Sequence, residues 1–232
     1  MVSPELCLAQ MARQLPLLKT VELGFEFCGS YVLDESPFQA PMDDSDKYWR
    51  RQLATLDSLE RFIEEKEGMP GIRVARIAIA YIVENSASPM ETICVMLLCL
   101  PTCYGGYGLP FPVLNWKNRM GTTKQRWAGK SHYKFDMYWP NSNLVVEYDS
   151  NEKHTGGARI GKDAIRRDIV STMRDSFIVI TKSQIRNTAA FDAVAHIIAG
   201  KLGYRIRTER GDIAQRRAAL RGLLLGTDTW RF

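Results

Sequence analysis

Three carboxylates with spacing suited to metal chemistry lie in the stretch Phe135–His154. Asp136 interrupts the apolar run FDMYW, and Glu147 and Asp149 end the run LVVEYD. Two strands joined by the turn Pro140–Asn143 would bring all three together in a hairpin. Because strand side chains alternate between faces, Glu147 and Asp149 point the same way if the strand extends that far. Adjacent carboxylates repel unless a cation neutralises them, so the pattern predicts a site for a hard divalent ion such as Mg²⁺.

Each of these carboxylates has an alternative role. Asp136 and Glu147 would be ordinary solvent-facing residues if their strands lay at a sheet edge. Asp149 would be a turn residue, bonded to its own backbone, if the strand ended before it. The metal interpretation is favoured for Asp136 and Glu147 because both interrupt apolar strands, whereas the two roles of Asp149 stay open.

The composition is that of an ordinary globular chain of 232 residues with a net charge of +5. This length suits one large domain, or one domain with an appendage. No run of about 18 apolar residues is present, so no membrane-spanning helix is expected, and Met1–Met11 lacks the pattern of a secretory signal. Five cysteines without a framework spacing indicate reduced thiols. We therefore expect a cytoplasmic protein without a membrane partner.

Positive charge is concentrated next to the carboxylates. No Asp or Glu occurs from Thr92 to Phe135. Basic residues interleaved with aromatic ones are typical of a polyanion-binding surface, since cations meet phosphates and rings stack on bases. The arginines beyond Gly203, among them Arg217 and Arg221, are expected to form ordinary solvated surface. The residues of the acid-free window predicted to contact nucleic acid are Trp116, Lys117, Arg119, Lys124, Arg126, Trp127, Lys130 and Lys134.

Helix and strand patterns predict an α/β (α+β) protein in two regions, 1–85 and 86–232. The first shows no recognisable chemistry; two short strands are expected at VELGFEF and GSYVL, followed by helices over Tyr48–Glu67 and Ile72–Glu84. The second begins with a strong helix start, in which Ser88 precedes Pro89 and Glu91. The later elements expected in order are a strand at Val113–Trp116, the hairpin, a helix over 157–175, the strand FIVIT, and helices at Phe191–Leu202 and Ile213–Leu225.

This order resembles the PD-(D/E)XK nuclease fold, and the motifs are most similar to its branch related to very-short-patch-repair endonucleases. The resemblance covers roughly residues 86–200. The lysine that the general pattern has two residues after Glu147 is here Asp149, and this branch usually has an acid there. The matching motifs are Ser88-Pro89-Met90-Glu91, Asp136-Met137-Tyr138-Trp139-Pro140, Glu147-Tyr148-Asp149, His154 and Asp163-Ala164-Ile165-Arg166.

The resemblance implies an αβββαβ core and a Mg²⁺-dependent endodeoxyribonuclease, with Mn²⁺ as the other candidate ion. Asp136, Glu147 and Asp149 would hold the metal, and Glu91 would lie near it. A capping glutamate needs no further role, however, so the two interpretations of Glu91 stay open. Proteins of this kind often carry an N-terminal region resembling abortive-infection antitoxins, which makes residues 1–85 a candidate surface for a protein partner.

Three basic residues after the hairpin are candidate catalytic residues, and two of them, Lys162 and Arg166, could do the work of the missing lysine. His154 can activate water or protonate the leaving oxygen, or it is an ordinary surface-loop histidine. Lys162 and Arg166 share a helical stripe with Ile169 and Met173, which predicts that they face the carboxylates. The alternative is that both extend to water.

The sequence therefore predicts a metal-dependent endonuclease that hydrolyses DNA phosphodiesters. Two other classes compete with it. One is an antitoxin-like or regulatory DNA-binding protein in which the nuclease fold is an inactive scaffold. The other is a protein-interaction module without a nucleic-acid role. The intact carboxylate set favours the enzyme.

Overall fold

This computed structural model describes residues 2–31, 50–119, 132–149, 176–207 and 211–226. Eight α-helices and four β-strands lie within these residues. The predicted mixed α and β class is thereby confirmed. The chain divides into two compact units, Met1–Thr92 and Ile93–Phe232. The division falls inside a helix that the sequence assigned wholly to the second region. No helix in the described parts of the chain is long and apolar enough to cross a membrane.

The first unit is helical throughout its described residues apart from connecting turns. It contains α1 (Pro4–Ala12), α2 (Leu17–Cys28), α3 (Leu56–Glu65), α4 (Ile72–Ile79) and the start of α5 (Pro89–Cys99). Side chains of α1, α3 and α4 form one hydrophobic core through Ala9, Ala12, Ile63, Ile72 and Ala75. The helix predicted over Tyr48–Glu67 begins only at Leu56, because Thr55 and Ser58 form a capping box there.

The strand predicted at VELGFEF is wrong, because this segment belongs to α2. Within this segment only Leu23 and Phe27 are partly exposed, and the other five residues are buried. A helix buried nearly all round has no clear 3.6-residue periodicity, so the alternation in this segment suggested a strand. Gly24 is part of the same arrangement, since a Cβ there would lie 2.1 Å from Cδ1 of Ile82. The second predicted strand is described only to Tyr31, an isolated bridge residue.

A four-stranded sheet forms the centre of the second unit. Its strands are β1 (Val113–Arg119), β2 (His132–Trp139), β3 (Leu144–Asp149) and β4 (Ser176–Thr181), in the order β1-β2-β3-β4. The pairs β1–β2 and β2–β3 are antiparallel, whereas β4 runs parallel to β3. The predicted hairpin is confirmed, with a 3₁₀ turn at Pro140–Ser142. A parallel pair needs a crossover connection, and the residues that make it, 150–175, lie outside the described ones.

Helices come before and after the strands of this sheet in the sequence. The residues Ile93–Cys99 of α5 are all buried, as in a helix enclosed by a core. After β4 come α6 (Lys182–Arg186), α7 (Thr188–Leu202) and α8 (Gly211–Leu225). Helix α8 packs against the turn at Thr102–Tyr104. Gly105 ends that turn with φ +94°, and a Cβ there would lie 2.3 Å from the carbonyl oxygen of Arg216, so only glycine allows this approach.

Candidate functional site

Glu147 lies on an inner strand of the sheet. It belongs to β3, which pairs with β2 on one side and β4 on the other, and its ladder partner on β4 is Val179. The three residues before it are completely buried, and Glu147 itself is 6% exposed. The alternative of a solvent-facing carboxylate at a sheet edge is therefore wrong for this residue. A carboxylate at such a position is costly unless donors or a cation compensate its charge.

The register of the sheet places Asp136 opposite Glu147 on the neighbouring strand. The β2–β3 ladder runs from Trp139↔Leu144 to Met137↔Val146, and the next step along it would pair Asp136 with Glu147. At this step Asp136 Oδ2 accepts a hydrogen bond of 2.9 Å from the backbone N–H of Tyr148. The side chain thus continues the hydrogen bonding where the ladder ends. Its carboxylate lies against the peptide group that joins Glu147 to Tyr148.

Asp149 is the last residue of β3, where it pairs with Thr181 of β4. The strand therefore extends through Asp149, which meets the condition for Glu147 and Asp149 to share a face, and the alternative of a turn residue is wrong. Asp149 and Glu147 lie two residues apart on one strand and share its face. Among the described residues, however, no group of three or more acidic, histidine or cysteine side chains is close enough to hold a metal ion. The structure brings Asp136 next to Glu147 but does not build the predicted three-carboxylate cluster.

Glu91 caps α5. Its Oε2 accepts a 2.9 Å hydrogen bond from the N–H of Ala87, and its Oε1 accepts one of 3.0 Å from the hydroxyl of Ser88. The backbone N–H of Glu91 in turn donates to the Ser88 hydroxyl. Ser88 thus caps the helix and Glu91 binds back to the residues before it, as in a capping box displaced by one residue, so the capping interpretation is confirmed. Glu91 belongs to the first unit, and its catalytic role stays a prediction.

Several predicted site residues lie outside the described ones. These are His154, Lys162 and Arg166 in 150–175, and Lys124, Arg126, Trp127 and Lys130 in 120–131. Of Arg119 only the backbone, in β1, is described. The predicted positions of all these side chains relative to Asp136 and Glu147 therefore stay predictions.

The described part of the basic window lies on the paired strands β1 and β2. Lys117 and Lys134 are ladder partners, and both side chains are exposed. Like charges on directly opposite residues repel, and a bound polyanion would relieve that repulsion. Trp116 is different, because its ring stacks on Tyr138 at 4.4 Å between centroids and packs against the buried core cluster on the sheet. At least one face of Trp116 is thus occupied within the protein.

Asn115 is a residue at this site that the sequence analysis missed. It lies between the ladder pairs Leu114↔Met137 and Trp116↔Phe135, so it stands opposite Asp136 on β1. Its φ of +51° is left-handed in the middle of a strand, and it is only 8% exposed. Asparagine tolerates this conformation better than most residues but is disfavoured in strands. That disfavoured residue in LNWKN is the signal that could have identified it.

A buried acidic pair in the first unit was also missed. Glu22 and Glu26 lie one turn apart on α2 and are 2% and 7% exposed. Glu22 Oε2 is 2.7 Å from the Lys19 ammonium, whereas its Oε1 has no hydrogen-bond partner among the described residues. Burial raises the pKa of Glu22. Had VELGFEF been predicted as a helix, the i, i+4 spacing would have placed both glutamates on one face.

Glu26 begins a chain of buried hydroxyl groups. It accepts a hydrogen bond from the Tyr31 hydroxyl, which lies 3.2 Å from the Thr92 hydroxyl, and that group is 2.8 Å from the Ser86 hydroxyl. Burial raises the pKa of Glu26 to about 7, against the lowering effects of the Tyr31 hydrogen bond and of Arg50, and the charge of Glu22 adds to the rise. This carboxyl group therefore changes its protonation state near neutral pH.

The expectation that the C-terminal arginines are solvated surface is wrong for two of them. Arg217 and Arg221 on α8 are only 4% and 8% exposed. The guanidinium of Arg217 lies 4.0 Å from the ring centroid of Tyr107, and that of Arg221 lies 5.5 Å from the centroid of Phe191. Aromatic partners distant in the sequence allow these cations to be buried.

Comparison with known proteins identifies relatives of unknown activity. Two uncharacterized proteins of Mycobacterium tuberculosis, from strains CDC 1551 and H37Rv, are each 28% identical over 127 residues, which is 50% of this chain. The matched region spans 42% of the length of those curated relatives. No protein-family model matches the chain, and no solved structure does.

Proposed function

We propose that this protein is a metal-dependent DNA endonuclease of the very-short-patch-repair type, which hydrolyses phosphodiester bonds. The single observation that carries the proposal is the adjacency of Asp136 and Glu147. By the β2–β3 register these two residues stand opposite each other on neighbouring inner strands, one step beyond the last ladder pair, Met137↔Val146. The sequence motifs assign the metal ligands of such an enzyme to these two strands, and the register supports the proposal.

The donor set suits a hard divalent cation. Carboxylate oxygens are the ligands that Mg²⁺ prefers, and this ion typically uses one or two of them together with water and phosphate oxygens. Asp136 and Glu147 would hold it, and water and phosphate oxygens would complete its coordination. Bound there, the ion would supply charge stabilisation to a phosphoryl oxygen and acidify an attacking water.

The protein's own residues would provide substrate attraction and proton transfer. Lys117 lies on β1 and Lys134 on β2, the strand that also contains Asp136. Their charges would draw the phosphate backbone toward Asp136. Arg166 would grip the scissile phosphate, and His154 or Lys162 would move the proton to the leaving oxygen. Asn115 lies opposite Asp136 on β1. Its left-handed conformation would make the β1–β2 pair irregular there and direct the Asp136 carboxylate toward Glu147.

The test is a nicking assay on supercoiled plasmid with Mg²⁺, Mn²⁺ or EDTA. Asp136→Asn should lower the rate of metal-dependent nicking by roughly a thousandfold or more, because it removes a charge that acts on the transition state. The fold should persist, since the asparagine carbonyl oxygen can still accept the N–H of Tyr148. Asp57→Asn, at an exposed carboxylate of α3, is the matched control and should nick like the wild type.

Metal-dependent nicking that persists in the purified Asp136→Asn protein would rule out this assignment. DNA binding without nicking in the wild type would favour the other candidate, a regulatory DNA-binding protein with an inactive nuclease fold. Absence of both activities would leave the protein-interaction module as the best explanation.

A further inference from the structure

Helix α8 brings two guanidinium groups into the interior of the second unit. Arg217 and Arg221 are one helical turn apart, so they project from the same side of the helix. Their neighbours on the same helix are different, since Arg216 is half exposed and pairs with Asp212 at 3.4 Å. The sequence of α8 therefore divides its arginines between a buried face and a solvent face.

The two buried arginines have different partners. Arg217 Nη1 is 3.3 Å from Asp192 Oδ1 on α7, so its charge faces a carboxylate. Arg221 Nη2 donates to the carbonyl oxygen of Ile185, and its guanidinium lies against the ring of Phe191. Among the described residues, no carboxylate lies within ion-pair distance of Arg221, and its buried Nη1 has no hydrogen-bond partner.

A buried arginine with neutral described partners lacks the compensation that buried charge normally has. Arginine does not lose its proton in proteins, so Arg221 cannot become neutral. If it served only to tie α8 to Ile185, one N–H group would suffice, and the remaining buried donor would be a net cost. An anionic group beside Nη1 would remove that cost and balance the charge.

We propose that Arg221, with Arg217 beside it, binds the phosphate group of a ligand. Two guanidinium groups on one side of a helix offer donors in more than one plane, which suits a tetrahedral oxyanion better than a planar carboxylate. Entry lies on the side of Asp192, whose side chain is 39% exposed at the edge of the pair. The bound phosphate displaces this carboxylate from Arg217. The site does not depend on cleavage at Asp136.

The experiment titrates the full-length protein with inorganic phosphate at constant ionic strength. Binding is followed by ³¹P NMR line broadening and by the rise in melting temperature, which a ligand of the folded state must cause. Wild type and Arg216→Met should bind equally. Arg221→Met should bind at least about tenfold more weakly, because a charge-assisted hydrogen bond is lost. Asp192→Asn should bind roughly threefold more tightly, since the competing carboxylate is neutralised.

A second arm identifies the source of the phosphate. A short DNA duplex replaces inorganic phosphate, with the same four proteins. Weaker DNA binding in Arg221→Met but not in Arg216→Met assigns the site to a nucleic-acid backbone, and unchanged DNA binding assigns it to a small phosphate ligand. The proposal is overturned if phosphate acts no differently from chloride on the wild type, or if Arg216→Met loses as much affinity as Arg221→Met. Should Arg221→Met fail to fold, phosphate binding that is no tighter in Asp192→Asn than in the wild type overturns it equally.

Discussion

Helix α2 of the first unit and helix α8 of the second each bury two like charges one helical turn apart. On α2 these are Glu22 and Glu26, and on α8 they are Arg217 and Arg221. The glutamates can relieve their repulsion by taking up a proton, and burial raises the pKa of Glu26 to about 7. The arginines cannot do the opposite, because their protons do not dissociate in proteins. Buried acidic charge therefore makes a structure sensitive to pH, whereas buried arginine charge makes it depend on an anionic partner.

The largest effect is expected at Glu26. Its pKa in the folded state is above the ordinary 4.5, so the folded protein holds the proton more tightly than the unfolded chain. Its contribution to stability is complete below about pH 4.5 and is lost as the pH rises through 7. With about 1.4 kcal/mol per pH unit, the loss is roughly 3 kcal/mol at most. Glu26→Gln, which mimics the protonated acid and still accepts the Tyr31 hydroxyl, should therefore be more stable than the wild type at about pH 8.

Urea unfolding at about pH 5 and about pH 8 measures this difference. The groups that share the site, Glu22 with Lys19 and the Tyr31 and Arg50 pair, are unchanged in the variant, so the change in pH dependence reports on Glu26. Glu65→Gln, on the exposed face of α3, is the control and should keep the wild-type pH profile. An equal slope for Glu26→Gln and the wild type would mean that Glu26 is ionised throughout and that the comparison with α8 is wrong.

A smaller effect is expected at Asp192, which faces Arg217. Asp192→Asn removes the carboxylate from a pair in which one member is buried and the other partly exposed, so we expect a loss of about 1 kcal/mol. The loss should be the same at about pH 7 and about pH 9, since arginine stays charged at both. Arg216→Met tests the exposed pair on the same helix and should change stability by less than about 0.5 kcal/mol. A loss that varies with pH over this range would contradict the assignment to a permanent charge.

The smallest effect is expected at the exposed like-charge pair of Lys117 on β1 and Lys134 on β2. Lys117→Gln relieves repulsion with Lys134 and should raise stability by no more than about 0.5 kcal/mol, and less at high salt. If Lys117 contacts a phosphate, the same change lowers the slope of log K for DNA binding against log salt by about 0.9. An unchanged slope would assign Lys117 to ordinary surface and would limit the electrostatic argument to the buried pairs.

The parts of the fold that local signals determine were predictable. The turn residues Pro140–Asn143 and the apolar runs on either side identified the hairpin, and Ser88 with Glu91 identified the start of α5. The β-branched run FIVIT identified β4. In each case the pattern is complete within about a dozen residues, so tertiary contacts had little to override.

Other features depend on contacts between distant segments. The burial of Arg217 requires Tyr107, which is far from it in the sequence, and charged residues are otherwise rarely buried. The left-handed Asn115 is decided by how β1 pairs with β2. Helix α2 was mistaken for a strand because burial nearly all round removed its periodicity. The register that sets Asp136 opposite Glu147 was predictable from the hairpin, whereas the failure of the three carboxylates to form one cluster depends on side-chain placement that the pattern does not determine.

The hydrogen bond between Asp136 and Tyr148 gives the protein a built-in spectroscopic reporter. An amide proton held by a carboxylate resonates at a frequency that depends on the charge of that carboxylate and on what else coordinates it. The ¹H–¹⁵N signal of Tyr148 therefore reads the state of Asp136 directly. A single backbone resonance can therefore follow protonation or ligand binding at the Asp136 side chain before any substrate is added.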